Sequence, residues 1–262
     1  MKNLLKVLFL SSILFTACDS NPDNGYAIPS RYNFENVSYN GQTQRLAMLT
    51  EIKTYLATGS TTGTNLDADK LKAMYANDAT NAGFTGTYDD SKQLKSKTFS
   101  SATTTFETLM DEVAAASQST VAASNGTAGV STSADGEKNY LVSAGGLEYT
   151  QLIEKGLMGA CFYYQATSVY FGSGKMDVDN ETVVEGEGTD MEHHWDEAFG
   201  YFGAPTDFPT NLDGLFFWAQ YSNIVNSAIG TNKTLMDALI KGRAAIHNDD
   251  LDYTTTLLIS FD

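Results

Sequence analysis

The sequence predicts an all-α protein, an irregular helical bundle, and three observations support this fold class. Apolar residues recur at three- and four-residue spacing through most of the chain, which is typical of amphipathic helices. Strand-like alternation is almost absent before the last ten residues, about residue 253 onward. The 262 residues are 42% hydrophobic and 11% aromatic, which is enough for one or two domains with a buried core.

The first half of the chain contains three predicted helices. The first begins at Gly41, ends before Gly59 and has an apolar face made of Leu46, Leu49, Ile52 and Leu56. The second covers residues 67–77 and is followed by an irregular loop. The third has an apolar stripe formed by Phe106, Leu109, Met110 and Val113. Residues 124–146 are rich in Ser, Gly, Thr and Ala, so we expect a long connection there.

The second half of the chain begins with its longest apolar helical pattern, over residues 147–171. A glycine-flanked acidic loop follows, and three further helices are predicted over residues 190–203, 215–229 and 231–247. Thr231 is interpreted as the N-cap of the last helix. The tail after residue 252 is β-branched and forms helix poorly. We therefore expect a truncated bundle that is missing its C-terminal helices.

The N-terminus has the features of a bacterial lipoprotein. Lys2 and Lys6 flank the start of an apolar stretch that is too short to span a bilayer but suits a signal peptide. Ala17 then precedes Cys18, as in a lipobox. We predict a lipoprotein signal peptide over residues 1–18, lipid attachment at Cys18, a flexible tether over 19–30 and a helical domain over 31–262. The protein is expected to be exported and lipid-anchored in the cell envelope, at the outer membrane of a Gram-negative bacterium.

Charge and cysteine content limit the partners of the chain. The net charge of −16 argues against nucleic acid as a partner, because phosphates require a basic surface. It also argues against docking on anionic lipid headgroups, so the lipid itself must provide the membrane anchor. With Cys18 lipidated, Cys161 has no disulfide partner. It lies in an apolar helical pattern and is predicted to be a small buried hydrophobic residue.

One candidate site lies in the helix predicted over residues 190–203. Its core face consists of Met191, Trp195, Ala198 and Phe202. His194 lies at the edge of that face, with Glu197 one turn further along. A histidine and a glutamate one turn apart can together bind zinc or iron, although a complete site needs more ligands. Glu148 and Glu154 are candidates for these further ligands. Alternatively, His194 is a half-buried histidine bonded to Glu197 or Tyr201, with Asp190 capping the helix.

Two other metal motifs are not favoured. The zincin pattern His-Glu-x-x-His is absent from the sequence. The acidic run Asp177–Glu181 starts like a calcium-binding EF-hand loop. However, Thr182 stands where that loop requires glycine, and Gly188 stands where it requires glutamate. A solvated acidic loop is the preferred interpretation.

Residues 32–49, together with residues 191–209, resemble a family of exported bacterial lipoproteins of unassigned function. That family is in turn similar to the imelysins, which are helical envelope proteins with a Gly-x-His-x-x-Glu motif. The imelysins are linked to iron regulation and were once classed as metallopeptidases. His194 and Glu197 match the motif by position, whereas Glu192 stands in the place of its glycine. Members of the lipoprotein family usually run longer, which agrees with the expected truncation.

Three functional hypotheses follow from the residues and the resemblance. The first is a non-enzymatic, imelysin-like lipoprotein that binds a metal or an iron-containing ligand and supports its uptake, with an envelope protein as a possible partner. The second is a metallopeptidase that uses His194 and Glu197, with Glu192 or Asp196 as the general base, although both point away from the His194 flank. The third is a surface binding or scaffold module in which the histidine motif only packs helices.

Overall fold

The computed structural model of the chain describes residues 19–20, 25–78, 83–252 and 254. These residues are predominantly helical, as the sequence predicts. The signal peptide and the lipid attachment point, Cys18, lie outside the described residues. Apart from Thr254, the same holds for the C-terminal tail on which the expected truncation depends. Over the ranges that the structure describes, none of the helices is both long and apolar enough to cross a bilayer.

Three α-helices occupy the first half of the chain: α1 (Asn40–Thr58), α2 (Ala68–Ala76) and α3 (Thr103–Ser117). Two short 3-10 turns, Lys95–Lys97 and Ser100–Ala102, lie between α2 and α3. The helix α2 begins after Asp67, whose carboxylate accepts hydrogen bonds from two backbone N–H groups of the first turn. It ends at Asn77, which adopts the left-handed conformation that terminates helices. All three helices match the predicted positions.

The second half of the chain contains α4 (Tyr149–Leu157), a π-helix (Met158–Tyr170), α5 (Ser173–Met176), α6 (Asp190–Phe202), α7 (Phe217–Ile229) and α8 (Thr231–His247). The predicted helix over 147–171 is therefore continuous, but its winding changes at Met158. Long π segments are rare, and π geometry often occurs at functional sites. The predicted N-cap at Thr231 is wrong by one residue. Gly230 takes that position, and the Thr231 hydroxyl instead donates to the Ser222 carbonyl at 2.7 Å.

The predicted connection over residues 124–146 contains an antiparallel hairpin of β3 (Gly129–Thr132) and β4 (Asn139–Val142). This departs from a purely α fold. The strands have four residues each, and Val130 and Leu141 form the one pair of opposed residues in this hairpin that are both large and apolar. A strand pattern this short, within a segment rich in Ser, Thr and Gly, cannot be distinguished from a loop by its sequence. A second pair, β1 (Asp19–Ser20) and β2 (Ala27–Ile28), has two residues per strand.

The predicted tether over residues 19–30 overlaps this second strand pair. Ile28 is 6% exposed and belongs to a hydrophobic cluster with Trp195 and Phe199. Tyr32 continues the contact, because its ring stacks on Phe199 with centroids 3.8 Å apart. The packed part of the chain therefore begins before residue 31, where the sequence placed the domain boundary.

Two hydrophobic clusters form the interior, and α6 contributes to both. The first lies among α1 to α4 and the π-helix. The second lies among the N-terminal segment, α6 and α8. Ala198 and Tyr201 enter the first cluster, whereas Met191, Trp195 and Phe199 enter the second. This helix is therefore the shared wall of the core, as its predicted apolar face indicates.

Cys161 lies on the π-helix and is fully buried in the first cluster. Burial raises the pKa of its thiol to about 12. At neutral pH the thiol is therefore protonated and unreactive. This confirms that Cys161 is a small buried hydrophobic residue.

A buried ionic network fastens α8 to α6. Arg243 is fully buried and donates to Asp196 at 3.0 Å and to Glu192. The hydroxyl of Tyr32 donates to the same Asp196 oxygen at 2.6 Å. Nδ1 of His247 lies 2.8 Å from Glu192. The second cluster therefore surrounds one guanidinium and two carboxylates from different parts of the chain.

The closest approach of α8 to α6 occurs at Gly242. A Cβ atom placed there would lie 1.9 Å from Cζ2 of Trp195. The indole N–H of Trp195 also donates to the Leu239 carbonyl at 2.9 Å, which fixes the ring against α8. Only glycine leaves room for the ring at this position.

We predict that Gly242→Ala destabilises the protein by about 1–3 kcal/mol, because the two helices must move apart. In a helix without such a contact, replacing glycine with alanine raises the free energy of unfolding by roughly 1 kcal/mol. A decrease would therefore indicate the close contact. Gly159→Ala is the matched control, since no atom lies within 4 Å of its added Cβ. Urea denaturation measures both. A stabilising Gly242→Ala would refute the close contact.

We predict that Arg243→Met lowers the free energy of unfolding by about 3–5 kcal/mol, because it leaves two buried carboxylates without a counter-charge. Lys233→Met is the control. It removes the exposed ion pair with Asp237 and should cost less than about 1 kcal/mol. Chemical denaturation at neutral pH compares the two variants. Losses of equal size would show that the buried network does not stabilise the fold.

Candidate functional site

The site helix α6 begins at a capping box. Thr189 is the N-cap, and its hydroxyl accepts from the Glu192 N–H at 3.1 Å. The Glu192 carboxylate in turn accepts from the Thr189 N–H at 3.0 Å. Asp190, the residue considered as a cap from the sequence, is instead the first residue of the helix. Glu192, which departs from the imelysin motif, is therefore used to start α6 and to bind Arg243.

His194 is held by a single residue of α5. Its Nδ1 lies 2.8 Å from the Lys175 carbonyl oxygen, and its Nε2 lies 3.0 Å from the Lys175 ammonium. A carbonyl accepts only and an ammonium donates only, so the ring is neutral with its proton on Nδ1. Burial and the Lys175 charge lower the pKa of His194, against a raising effect of the Lys175 carbonyl. Both ring nitrogens are thus occupied.

Glu197 lies one turn further along and faces a different set of groups. Its Oε1 accepts from Gln42 Nε2 at 2.7 Å and from the Tyr170 hydroxyl at 3.0 Å. Its Oε2 lies 3.8 Å from Nε2 of His193. The Glu197 charge also acts on His194, where it favours the protonated form. The predicted neighbours therefore interact electrostatically, while His193 provides the nearer histidine nitrogen.

The further ligands considered from the sequence are placed elsewhere. Glu154 on α4 is buried and forms ion pairs with Lys53 at 2.9 Å and Lys155 at 2.8 Å. Glu148 is the N-cap of the same helix. Within the described ranges, no group of three His, Cys, Asp or Glu side chains is arranged to hold a metal ion. His194 and Glu197 are therefore a partial ligand set.

Glu192 and Asp196, the two candidate general bases, belong to the buried network. Glu192 is 5% exposed and Asp196 is 0% exposed, and both bind Arg243. Both contact α8, whereas Glu197 contacts α1 and the π-helix. Neither carboxylate is free to activate a water molecule beside His194.

Tyr201, considered as a partner of His194, lies within the first cluster and is 1% exposed. Its ring packs on Phe162 and Tyr170. It also lines an apolar cavity of about 430 Å³ between the π-helix, α6, α7 and α8. Among the residues that the structure describes, the hydroxyl of Tyr201 has no hydrogen-bond partner. The interpretation that His194 bonds to Tyr201 is therefore wrong, since His194 binds Lys175.

The acidic loop before α6 is organised by its own backbone. The Asp179 carboxylate accepts from the N–H groups of Glu181 at 3.0 Å and Thr182 at 3.1 Å. Asn180 donates to the Ile246 carbonyl at 2.8 Å, which joins the loop to the end of α8. These contacts agree with a structural role for the loop rather than an EF-hand.

Four residues around the site have no signal in the sequence: Gln42, Lys97, Tyr170 and Lys175. The Lys97 ammonium lies 3.3 Å from the Tyr170 hydroxyl, which places it beside Glu197. Burial lowers the pKa of Lys97, and the charges of Arg45 and Lys175 lower it further. These residues come from distant parts of the chain, and only the packing of α1, the π-helix and α6 brings them together.

Residues 29–257 match the family described as Domain of unknown function (DUF4856). The chain belongs to this family. The match covers most of the chain, so it confirms the prediction of an uncharacterised family. Neither a curated protein nor a solved structure matches the chain. The matched region of the DUF4856 domain includes all the site residues described above.

We predict that acidification destabilises the protein partly through His194. Its pKa in the folded state is lowered from 6.5, so the unfolded state takes up the proton first as pH falls. The free energy of unfolding therefore decreases below pH 6.5 until the folded-state pKa is passed. His194→Gln keeps a hydrogen-bonding side chain but does not titrate, so its stability should fall less steeply. Denaturation between about pH 8 and pH 5 measures this, and identical slopes would contradict it.

Proposed function

We propose that this protein is a lipid-anchored binding protein of the cell envelope that is related to the imelysins. It carries a metal in the form of an iron-containing ligand, supports uptake of that ligand and catalyses no reaction. Export by the signal peptide over residues 1–18 and attachment through Cys18 hold it at the outer membrane. The acidic chain would be repelled by anionic lipid surfaces, so the lipid anchor would keep the helical domain near an envelope partner.

The observation that carries this proposal is the partial ligand set on one turn of α6. His193, His194 and Glu197 are partly exposed, whereas most of the remaining helix is buried. A bare zinc ion requires about four ligands, or three and an open position for catalysis. A metal that arrives inside a chelate brings its own donors and needs only a few contacts from the protein. The site therefore suits an iron chelate better than a bare cation.

The metallopeptidase alternative receives less support from the same contacts. A metal-bound water needs a general base within hydrogen-bonding distance. Glu192 and Asp196 are held by Arg243, and Glu197 accepts from Gln42 and Tyr170. This arrangement favours binding over catalysis.

The scaffold alternative has one specific observation in its favour. The Lys175 carbonyl and ammonium both contact His194, so this histidine joins α5 to α6. A histidine that serves only this purpose would affect stability and no ligand. The two roles differ in what a substitution of His194 changes.

We predict that the wild-type protein binds ferric citrate and that His194→Ala and Glu197→Ala each weaken this binding about tenfold or more. Glu187→Ala is the matched control, because it removes an exposed carboxylate from the preceding loop. Calorimetric titration with ferric citrate, ferrous iron and zinc measures binding, and the bare cations should bind more weakly.

Two results would overturn the proposal. If His194→Ala lowers the melting temperature and leaves ferric citrate binding unchanged, the histidine only packs helices. If the wild-type protein cleaves peptides and a chelator abolishes the cleavage, the protein is a metallopeptidase.

A further inference from the structure

Three positively charged side chains are gathered around one carboxylate beside His194. The Lys97 ammonium donates to the Tyr170 hydroxyl at 3.3 Å, and that hydroxyl donates to Glu197 at 3.0 Å. The Lys175 ammonium contacts His194 at 3.0 Å, and the rings of His194 and Tyr170 are 6.2 Å apart. Arg45, on α1, is 4% exposed, and its charge acts on both Lys97 and Tyr170.

These cations are not neutralised by the described part of the protein. None of Arg45, Lys97 and Lys175 has a described carboxylate at salt-bridge distance. Arg45 uses its Nε for the Gln93 carbonyl, at 2.9 Å. Glu197 supplies a negative charge near Lys97, and the exposed Asp89 carboxylate supplies a second one near Arg45, against three positive charges. The whole chain has 32 acidic and 16 basic residues, so a locally positive region is contrary to its composition.

Bringing these positive charges together out of water costs free energy unless an anion binds beside them. A buried or half-buried charge loses its hydration and requires a partner of opposite sign. Lys97 shows this cost, because burial and the neighbouring cations lower its pKa. Both lysines are partly exposed, so their ammonium groups can be reached from solvent. Lysine ammonium groups bind phosphate and carboxylate oxygens well.

We propose that Lys97 and Lys175 bind an oxyanion, a carboxylate or phosphate group of the ligand, with Arg45 adding positive charge. The inference rests on the proposed function for the position of the ligand beside Glu197. It adds that the ligand is negatively charged, so that an iron chelate bound here is an anionic one. Glu197 and His194 then contact the part of the ligand that lies away from the oxyanion.

The same contacts explain why a bare cation is disfavoured. The lone pair of His194 Nε2 faces the Lys175 ammonium, so a metal ion would have to displace that group. A metal would also approach against the charges of Lys97 and Arg45. An anion meets attraction at each of these positions.

The test uses iron-free anions on the full-length protein in detergent. Inorganic phosphate and citrate are titrated separately by calorimetry, which distinguishes a phosphate from a carboxylate site. We expect one of them to bind with one-to-one stoichiometry, and Lys97→Met and Lys175→Met each to weaken it about tenfold or more. Lys138→Met removes an exposed lysine from the hairpin and should change nothing. Lys97→Arg and Lys175→Arg keep the charge and should retain most of the affinity.

Saturable binding that both methionine variants retain would overturn the inference, and so would absence of binding of either anion. Zinc binding that tightens in Lys175→Met, without anion binding to the wild type, would assign the site to a bare cation. Circular dichroism confirms that each variant is folded. If a methionine variant is unfolded, the corresponding arginine variant is measured in its place. If iron-free citrate binds but His194→Ala and Glu197→Ala do not change the affinity for ferric citrate, only the proposed function fails. If binding of ferric citrate depends on His194 and Glu197 but not on the two lysines, only the oxyanion inference fails.

Discussion

The buried guanidinium of Arg243 is the interaction on which the rest of the structure depends. It binds two carboxylates on consecutive turns of α6, and Tyr32 joins the same network from the N-terminal segment. Breaking such a network leaves charges in a low-dielectric interior, so all its members must be present together. The rotation of α6 about its axis is thereby fixed. One face carries Glu192 and Asp196 into the network, which leaves His193, His194 and Glu197 directed toward the π-helix and α5.

The helices could be predicted because their apolar spacing is a local property. The helix predicted to end at residue 247 ends there in the structure, and its start differs from the predicted N-cap by one residue. The hairpin of β3 and β4 could not be predicted, since each strand has only four residues and the apolar residues of β4 are consecutive rather than alternating. The position of His194 at the edge of a core face also followed from spacing. Its partner Lys175 did not, because the contact joins residues that lie 19 positions apart across a loop.

The surroundings of Glu197 show why residue types alone do not identify a ligand. A histidine and a glutamate one turn apart suggest a metal site. The nearby charges of Arg45, Lys97 and Lys175 instead favour an anion there. Gln42, which is 1% exposed, donates directly to Glu197, whereas Lys97 contacts it only through the Tyr170 hydroxyl. These residues belong to elements that are far apart in sequence. The specificity of this site is therefore set by tertiary packing around α6, and the motif supplies only its centre.

The position of Arg243 after all of its described partners in the sequence has a consequence for the order of assembly. Its partners on α6 precede it by 47 and 51 residues, and the Glu35 carbonyl that it also contacts precedes it by 208. During synthesis from the N-terminus onward, the cluster that contains Ile28, Tyr32 and α6 cannot close before α8 has been made. Contacts of such long sequence separation form slowly, because the loop entropy is lost before the contact is gained. Until α8 is available, the chain therefore exposes apolar surface and unpaired acids for longer than a protein with local contacts does.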